Sequence, residues 1–364
     1  MAKRRSAERD GVLPRTAKRR RQHLYLVFDD WSQGYSIRKV DLGDTNPLSD
    51  SGYDEPASPP HDPRLPPTVF RMPAARGLPQ YFASAFGTRI LAMQPGERAA
   101  GLFPIFDVRA RGSIWGPQLQ PVPADPIYFT VGDRLFALSA GSFHELYPPP
   151  LEHAGGEYCE WLWRQLPDPP FKRKHVVSHA VHPDGRTIFV STERRGASAT
   201  FAFDTALPFD GRAHFDAALD AFVGLSNDPD TLGHLCSCDA APATPGSSDD
   251  DGQRAVRARK LSKEKFFSEE PAETHVGARL VHIGRSKFCL VQCISMEDGR
   301  VYEEREEEED VPRPRRHLLR LVTFSLKYDK NGDVTTGTSR RVRYCKVPKA
   351  STESLLKNPV AFWL

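Results

Sequence analysis

The sequence predicts an all-β fold, with four-stranded units of about 40–50 residues standing around one axis as a β-propeller. Three observations carry this expectation. Short aromatic and branched runs recur with one grammar: a strand, a glycine-bearing turn, a strand, a loop, a strand ending in Asp, and a more variable outer strand. Proline and glycine, 32 and 26 of 364 residues, exceed ordinary usage and fall mostly between those runs. Only two short segments, 260–267 and 352–358, read as helical. Units that each expose an apolar face are stabilised by stacking radially, and closing the ring removes the sheet edges that promote aggregation.

Composition narrows the function. Hydrophobic residues at 39% and aromatics at 10% are enough for a core. Fifty Lys and Arg against 47 Asp and Glu leave a net charge of +3, so bulk charge speaks against nucleic acid as a partner. No apolar run approaches the roughly 18 residues of a membrane span, and no apolar h-region follows the basic N-terminus. The expectation is a chain with no membrane partner and no standard secretion signal. Six irregularly spaced cysteines fit a reducing compartment better than a disulfide scaffold.

Taken in order, residues 1–22 cannot bury enough apolar surface to offset their ordering entropy and read as a disordered basic arm. Lys3, Arg4 and Arg5, then Lys18, Arg19, Arg20 and Arg21, are spaced as a bipartite nuclear-import signal for an import carrier. A solvated basic tail accounts for the same residues. The expected location is nucleus or cytoplasm, with the nucleus favoured. Residues 23–28 and 35–40 form a hairpin around a turn at 29–34. Residues 44–67, dense in Pro, Ser, Asp and Gly, read as a loop.

Three clear repeats follow. The first places strands at 82–86, 90–93, 103–107 and 114–117; the second at 127–131, 135–138, 143–146 and 161–166; the third at 178–181, 187–190 and 200–204. A weaker fourth covers 213–239, and a fifth has strands at 277–283, 287–293 and 318–326. With the N-terminal hairpin the count is six. In the third unit the chain passes from Asp204 directly through 205–208 to Phe209, so its outer strand is shortened or absent. Closure is expected between the hairpin and a C-terminal strand such as 341–347. The organisation is thus an arm at 1–22, a propeller at 23–349 with polar insertions near 44–67, 240–259 and 296–316, and a C-terminal tail at 350–364.

The segments Tyr25-Leu-Val-Phe-Asp-Asp30, Phe103-Pro-Ile-Phe-Asp107, Ala180-Val-His-Pro-Asp-Gly-Arg186, Leu261-Ser-Lys-Glu-Lys265 and Thr323-Phe-Ser-Leu-Lys-Tyr-Asp329 carry a resemblance. The chain resembles a large grass-expanded, rice-type family of uncharacterised plant proteins whose domain of unknown function is kelch-like in its repeats. The likeness spans nearly everything after the basic arm. It implies a kelch-like propeller and a plant source, and brings no catalytic residue with it.

Candidate chemistry is sparse. His179, His182 and Asp184 invite a metal or general-base reading, but His182-Pro-Asp-Gly185 reads first as turn chemistry and His179 as a packed strand residue. Alternation would put His234, Cys236 and Cys238 on one strand face and Cys289 and Cys293 on another. The spacing is not that of a zinc knuckle, and core packing is the better reading. Asp329, Asn331 and Asp333 begin like a calcium loop, yet Gly332 is misplaced and Arg340 stands where the bidentate Glu belongs, so an Asn-Gly hairpin is preferred. Ser247 and Ser248 precede three aspartates as phosphorylation candidates, and the acidic run 303–310 is a solubilising loop or a contact for a basic partner. No catalytic, metal or cofactor residue is assigned. The expected role is a non-enzymatic protein-interaction module of a plant cell with an unknown protein partner. The alternatives are a kelch-type metal-dependent or sugar-acting enzyme, and an accessory substrate receptor in ubiquitin ligation without its own F-box.

Overall fold

Alternating branched and aromatic residues form a first hairpin of β1 (Leu24–Trp31) and β2 (Gly34–Val40), with a turn tighter than 29–34 because Trp31 already pairs with Gly34. A third strand, β3 (Thr68–Pro73), starts where the 44–67 loop was expected to end. The computed structural model describes residues 21–43, 63–95, 101–147, 161–185, 187–194, 197–201, 207–239, 259–297 and 315–364. These residues form five hydrogen-bonded sheets, most of them four-stranded and antiparallel.

The first two clear repeats fold as read. One is β4 (Phe82–Ala85), β5 (Arg89–Ala92), β6 (Leu102–Asp107) and β7 (Gly112–Pro117); the other is β8 (Ile127–Val131), β9 (Arg134–Ser139), β10 (Ser142–Tyr147) and β11 (Leu162–Gln165). The Asp that ends a third strand has a local task. Asp107 accepts from Thr88 Oγ1 at 2.8 Å and from the amides of Arg109 and Ala110 at 2.9 and 3.1 Å, closing the turn into β7. Burial pushes its carboxyl up, but these bonds and Arg89 hold it below the usual carboxylate range.

The third repeat gives β12 (Val176–Val181), β13 (Ile188–Arg194) and β14 (Ala197–Phe201), and among the described residues this meander stops at β14. The fourth gives β15 (Phe209–Asp216), β16 (Ala221–Ser226), β17 (His234–Asp239) and β18 (Arg259–Lys265). The last strand corrects the helix expected at 260–267. An isolated helix of that length is marginal, whereas here Leu261 and Lys265 pair with Cys236 and His234, and Phe266 is buried against Phe324 at 4.3 Å.

The fifth repeat is longer than its sequence suggests. β19 (Thr274–Gly284), β20 (Lys287–Glu297) and β21 (Arg315–Ser325) each run eleven residues, and Met296 and Glu297 pair with Arg316 and Arg315 inside the insertion assigned to 296–316. A small hairpin, β22 (Lys327–Tyr328) and β23 (Val334–Thr335), touches β18 through Ser262 and Val334. β24 (Arg341–Lys346) then runs beside β21, so it is not the closing strand expected at 341–347. Val342 and Tyr344 pack on Ile294 and Leu318 of its own sheet. Closure belongs to residues read as a tail. After the helix α1 (Glu353–Lys357), capped by Thr352 as predicted at 352–358, β25 (Val360–Trp363) pairs with β1 from Val360↔Val27 to Trp363↔Leu24. Val360, Ala361 and Phe362 are buried, which an unpaired tail would not be.

The leading strands stand side by side: β4 with β8, β8 with β12, β15 with β19, and β19 with β25. β12 and β15 are hydrogen-bonded in parallel, which joins their two meanders, with the β22–β23 hairpin on β18, into one nine-stranded sheet. The apolar clusters follow the same order. Ile105 and Leu135 share one cluster; Phe129 and Phe136 pack against Val176 and Ile188; Phe189 shares one with Phe209; Val223 shares one with Phe288; and Val291, Leu26 and Phe106 share another. Apolar packing therefore runs from each meander to the next and from the last back to the first.

Candidate functional site

The site begins with a glycine inside a strand. Pairing between β15 and β16 is interrupted between Asp210 and His214, and Gly211 adopts a φ of +66°, a left-handed conformation that a side chain disfavours. Over this bulge β15 turns its hydrogen bonds to β12 instead, with Ser178↔Gly211, His179↔Arg212 and Ala180↔Ala213 in register. Arg212 is thereby held in the seam between two meanders, next to His179. Beyond His179 lies Phe129 of β8, with ring centroids 6.0 Å apart. On the other side, His214 bonds the Leu280 carbonyl of β19 at 3.1 Å and lies 6.3 Å from the ring of His282. Arg279 of β19 sits over the ring of Phe362 in β25 at 5.8 Å. Three adjoining leading strands, β12, β15 and β19, thus supply one basic cluster, bordered by Phe129 of β8 and Phe362 of β25.

Its electrostatics follow from charge gathered away from water. Burial lowers Arg212, and burial together with the charge of Arg212 lowers Arg279 to about 10. Burial, then the charges of Arg212, Arg279 and Arg173, push His179 down to about 3. His214 is driven well below its ordinary range by burial and by Arg212. At neutral pH the cluster is therefore two guanidiniums flanked by two neutral imidazoles. The His214 nitrogen facing Leu280 must carry its proton, since a carbonyl only accepts. All four residues retain partial access to solvent.

A second polar cluster lies nearby and is closed. Asp216 accepts from Ser286 N and Oγ at 2.6 and 2.7 Å, from the amides of Ala218 and Leu219 at 3.0 Å each, and is met by His282 Nε2 at 3.0 Å. Burial alone would raise this carboxyl, yet the bonds from His282 and Ser286 hold it well below the usual carboxylate range. The serine is bound to the aspartate rather than to the histidine, so the trio pins β15 to the turn between β19 and β20 and does not form a nucleophile relay. Glu145, 1% exposed, is committed in the same way to Arg134 at 2.8 Å, Arg164 at 3.1 Å and Tyr147 Oη at 2.5 Å.

The residues singled out in the sequence disperse. His179 is a strand residue, but one joined to Arg212. His182 and Asp184 face a turn: Gly185 N donates to the His182 carbonyl at 3.1 Å, and Asp184 accepts from Thr187 N and Oγ1 at 2.9 and 2.7 Å. Cys236 and Cys238 are buried in one apolar cluster and Cys289, Cys293 and Cys345 in another, and none of these five forms a disulfide among the described residues; Cys159 lies outside the described residues. The 329–333 segment is the β22–β23 turn, with Gly332 N on the Asp329 carbonyl at 3.0 Å and Lys263 paired to Asp329 and Asp333. Of the import candidates, Arg21 is described and pairs with Asp41 at 3.1 Å; Lys3, Arg4, Arg5, Lys18, Arg19 and Arg20 lie outside the described residues, as do Ser247, Ser248 and the run 303–310. The sequence reading missed Arg212 and Arg279. The available signals were a glycine before an arginine within a strand, and an arginine inside the apolar run 276–283.

The model of a family described as a protein of unknown function (DUF1668) matches residues 21–344. No curated protein matches the chain.

Proposed function

The chain belongs to the DUF1668 family of proteins of unknown function, and from that premise we propose that it is a six-bladed, kelch-like β-propeller acting as a non-enzymatic protein-interaction module in a plant cell. One observation carries the reading: apolar clusters link each meander to the next and the last to the first, with β25 pairing back onto β1. That order is what a ring requires. Counting meanders among the described residues gives six blades, one of them β12–β14 with three described strands. The kelch-like character and the plant source rest on the resemblance of the repeat segments.

A ring of this kind holds its inter-strand loops on two rigid ends, and loops on a rigid scaffold are where binding surfaces are built. The commitment of Asp216 to structural bonds supports a role without acid–base chemistry, because a carboxylate held low by several donors is a weak base. The basic arm at 1–22 supplies the address: the chain enters the nucleus through an import carrier. The partner is a protein that reads the loop ends.

Proximity labelling in plant cells tests both parts, comparing the intact chain with one lacking residues 1–22. The reading expects a reproducible set of labelled proteins for the intact chain and a nuclear signal that falls without the arm. Labelling no different from a free ligase control would remove the interaction role, and an unchanged location would remove the import role.

A further inference from the structure

Buried arginines elsewhere in the molecule are met by acceptors. Arg38 reaches Asp30 at 2.6 Å and the Pro66 carbonyl at 2.7 Å, and Arg320 donates to the Phe266 carbonyl at 2.8 Å. This is the expected condition, since a charge taken from water without compensation is expensive. Arg212 and Arg279 differ, since solvent partly reaches both. Among the described residues neither has a hydrogen bond or ion pair, and the charge that bears on Arg279 is that of Arg212. Arg212 stands where β15 meets β12, and Arg279 stands on the next leading strand, β19, which His214 ties to β15 through the Leu280 carbonyl at 3.1 Å; β15 gives up its regular pairing with β16 to place Arg212 there.

We propose that Arg212 and Arg279 form a binding site for a small phosphate-bearing anion, with His179 and His214 at its sides. The chemistry selects the class. Each guanidinium presents a planar fork of five N–H donors, and together they carry two positive charges. A tetrahedral phosphate offers enough oxygens to engage both forks at once and nearly two negative charges to neutralise them. A halide cannot span two forks, and a monocarboxylate balances one charge. Neutral His179 adds a ring that donates to a phosphate oxygen, or accepts from a protonated one, without adding repulsion. Phe129 beside His179 and Phe362 beneath Arg279 limit water at the edges, which strengthens charge-assisted bonds. The phosphate is free or carried as a monoester; the site goes beyond the docking role and stands whether or not a protein partner does.

The test is calorimetric titration of the full chain at pH 7.5 with potassium phosphate and with O-phosphoserine, ionic strength held constant with potassium chloride, paired with thermal melts. One phosphate per chain and a melting point raised by phosphate over chloride are expected. Arg212→Met and Arg279→Met are each expected to weaken binding at least about tenfold, in line with the loss of a charged hydrogen-bond donor. In phosphate-free buffer each variant should melt no lower than the parent, because it removes one of two like charges that no acceptor offsets among the described residues; a purely structural arginine would lower it. If a methionine variant does not fold, Arg212→Lys and Arg279→Lys take its place, keeping the charge while losing the fork, with weaker binding again expected. Tighter binding of phosphoserine than of phosphate supports the site and identifies a monoester, and the reverse supports it and identifies the free ion. No phosphate-specific heat or stabilisation in the parent chain, or undiminished binding in both variants, overturns the proposal.

Discussion

Gly211 shows how a single residue sets the position of a charge. Its φ of +66° lets β15 leave β16 and meet β12, and no neighbouring atom lies within 4 Å of where a Cβ would stand, so conformation alone decides the cost of a substitution. Gly211→Ala is expected to cost about 1–2 kcal/mol, the usual strain of a left-handed side-chain-bearing residue, read from urea midpoints. His179 gives a pH signature. Its folded pKa of about 3 lies below the ordinary 6.5, so the unfolded chain takes up the proton first. Stability is then full above pH 6.5 and falls as pH drops from there, and His179→Gln should flatten that slope by at most about 1.4 kcal/mol per pH unit. Asp216 acts in a lower window. Its folded pKa is depressed, so its contribution is full above the ordinary 3.8 and is lost as pH falls below that value. Asp216→Ala, which strands the Ser286 and Leu219 amides and removes the partner of His282, should cost about 3 kcal/mol at pH 7 by denaturant titration. These roles were only partly readable beforehand. The Phe-Asp segments marked Asp216, but an arginine on a strand is by default taken to face water, and only the register of β12 with β15 places Arg212 at the seam of two meanders.

The elements separate into those fixed by local pattern and those fixed by pairing. The hairpins of the first three repeats were legible because period-two alternation and a glycine turn are both local signals. β18 was not: Arg259-Lys-Leu-Ser-Lys-Glu-Lys265 is rich in helix formers, and what makes it a strand is the partner β17, twenty residues back across the 240–258 segment. β25 was not legible either, since four residues after a short helix show no usable alternation. Its importance lies in what it covers. Val360 and Phe362 are buried and β1 pairs along it from residue 24 to residue 27, so a chain ending at Asn358 should expose the apolar edge of β1. Such a truncated chain is expected to lose its cooperative thermal transition and to aggregate on heating, as light scattering would show; retention of the parent melting point would mean that β25 closes nothing.

Across the whole molecule, stability depends on packing between sheets. No sheet buries its apolar faces alone: Val291 shares a cluster with Leu26 and Phe106, and Phe189 shares one with Phe209. The same arrangement sets His179, Arg212 and Arg279 on the neighbouring strands β12, β15 and β19. The sequence repeats foretold the stacking of sheets, while the joining of first and last depended on long-range pairing that no repeat encodes. A crystal structure of the full chain grown in potassium phosphate tests the central claim most directly. The account predicts six meanders around one axis, β25 hydrogen-bonded to β1, and a tetrahedral anion between Arg212 and Arg279. An open arc with β25 detached from β1, or the first and last sheets separated by solvent, would contradict it.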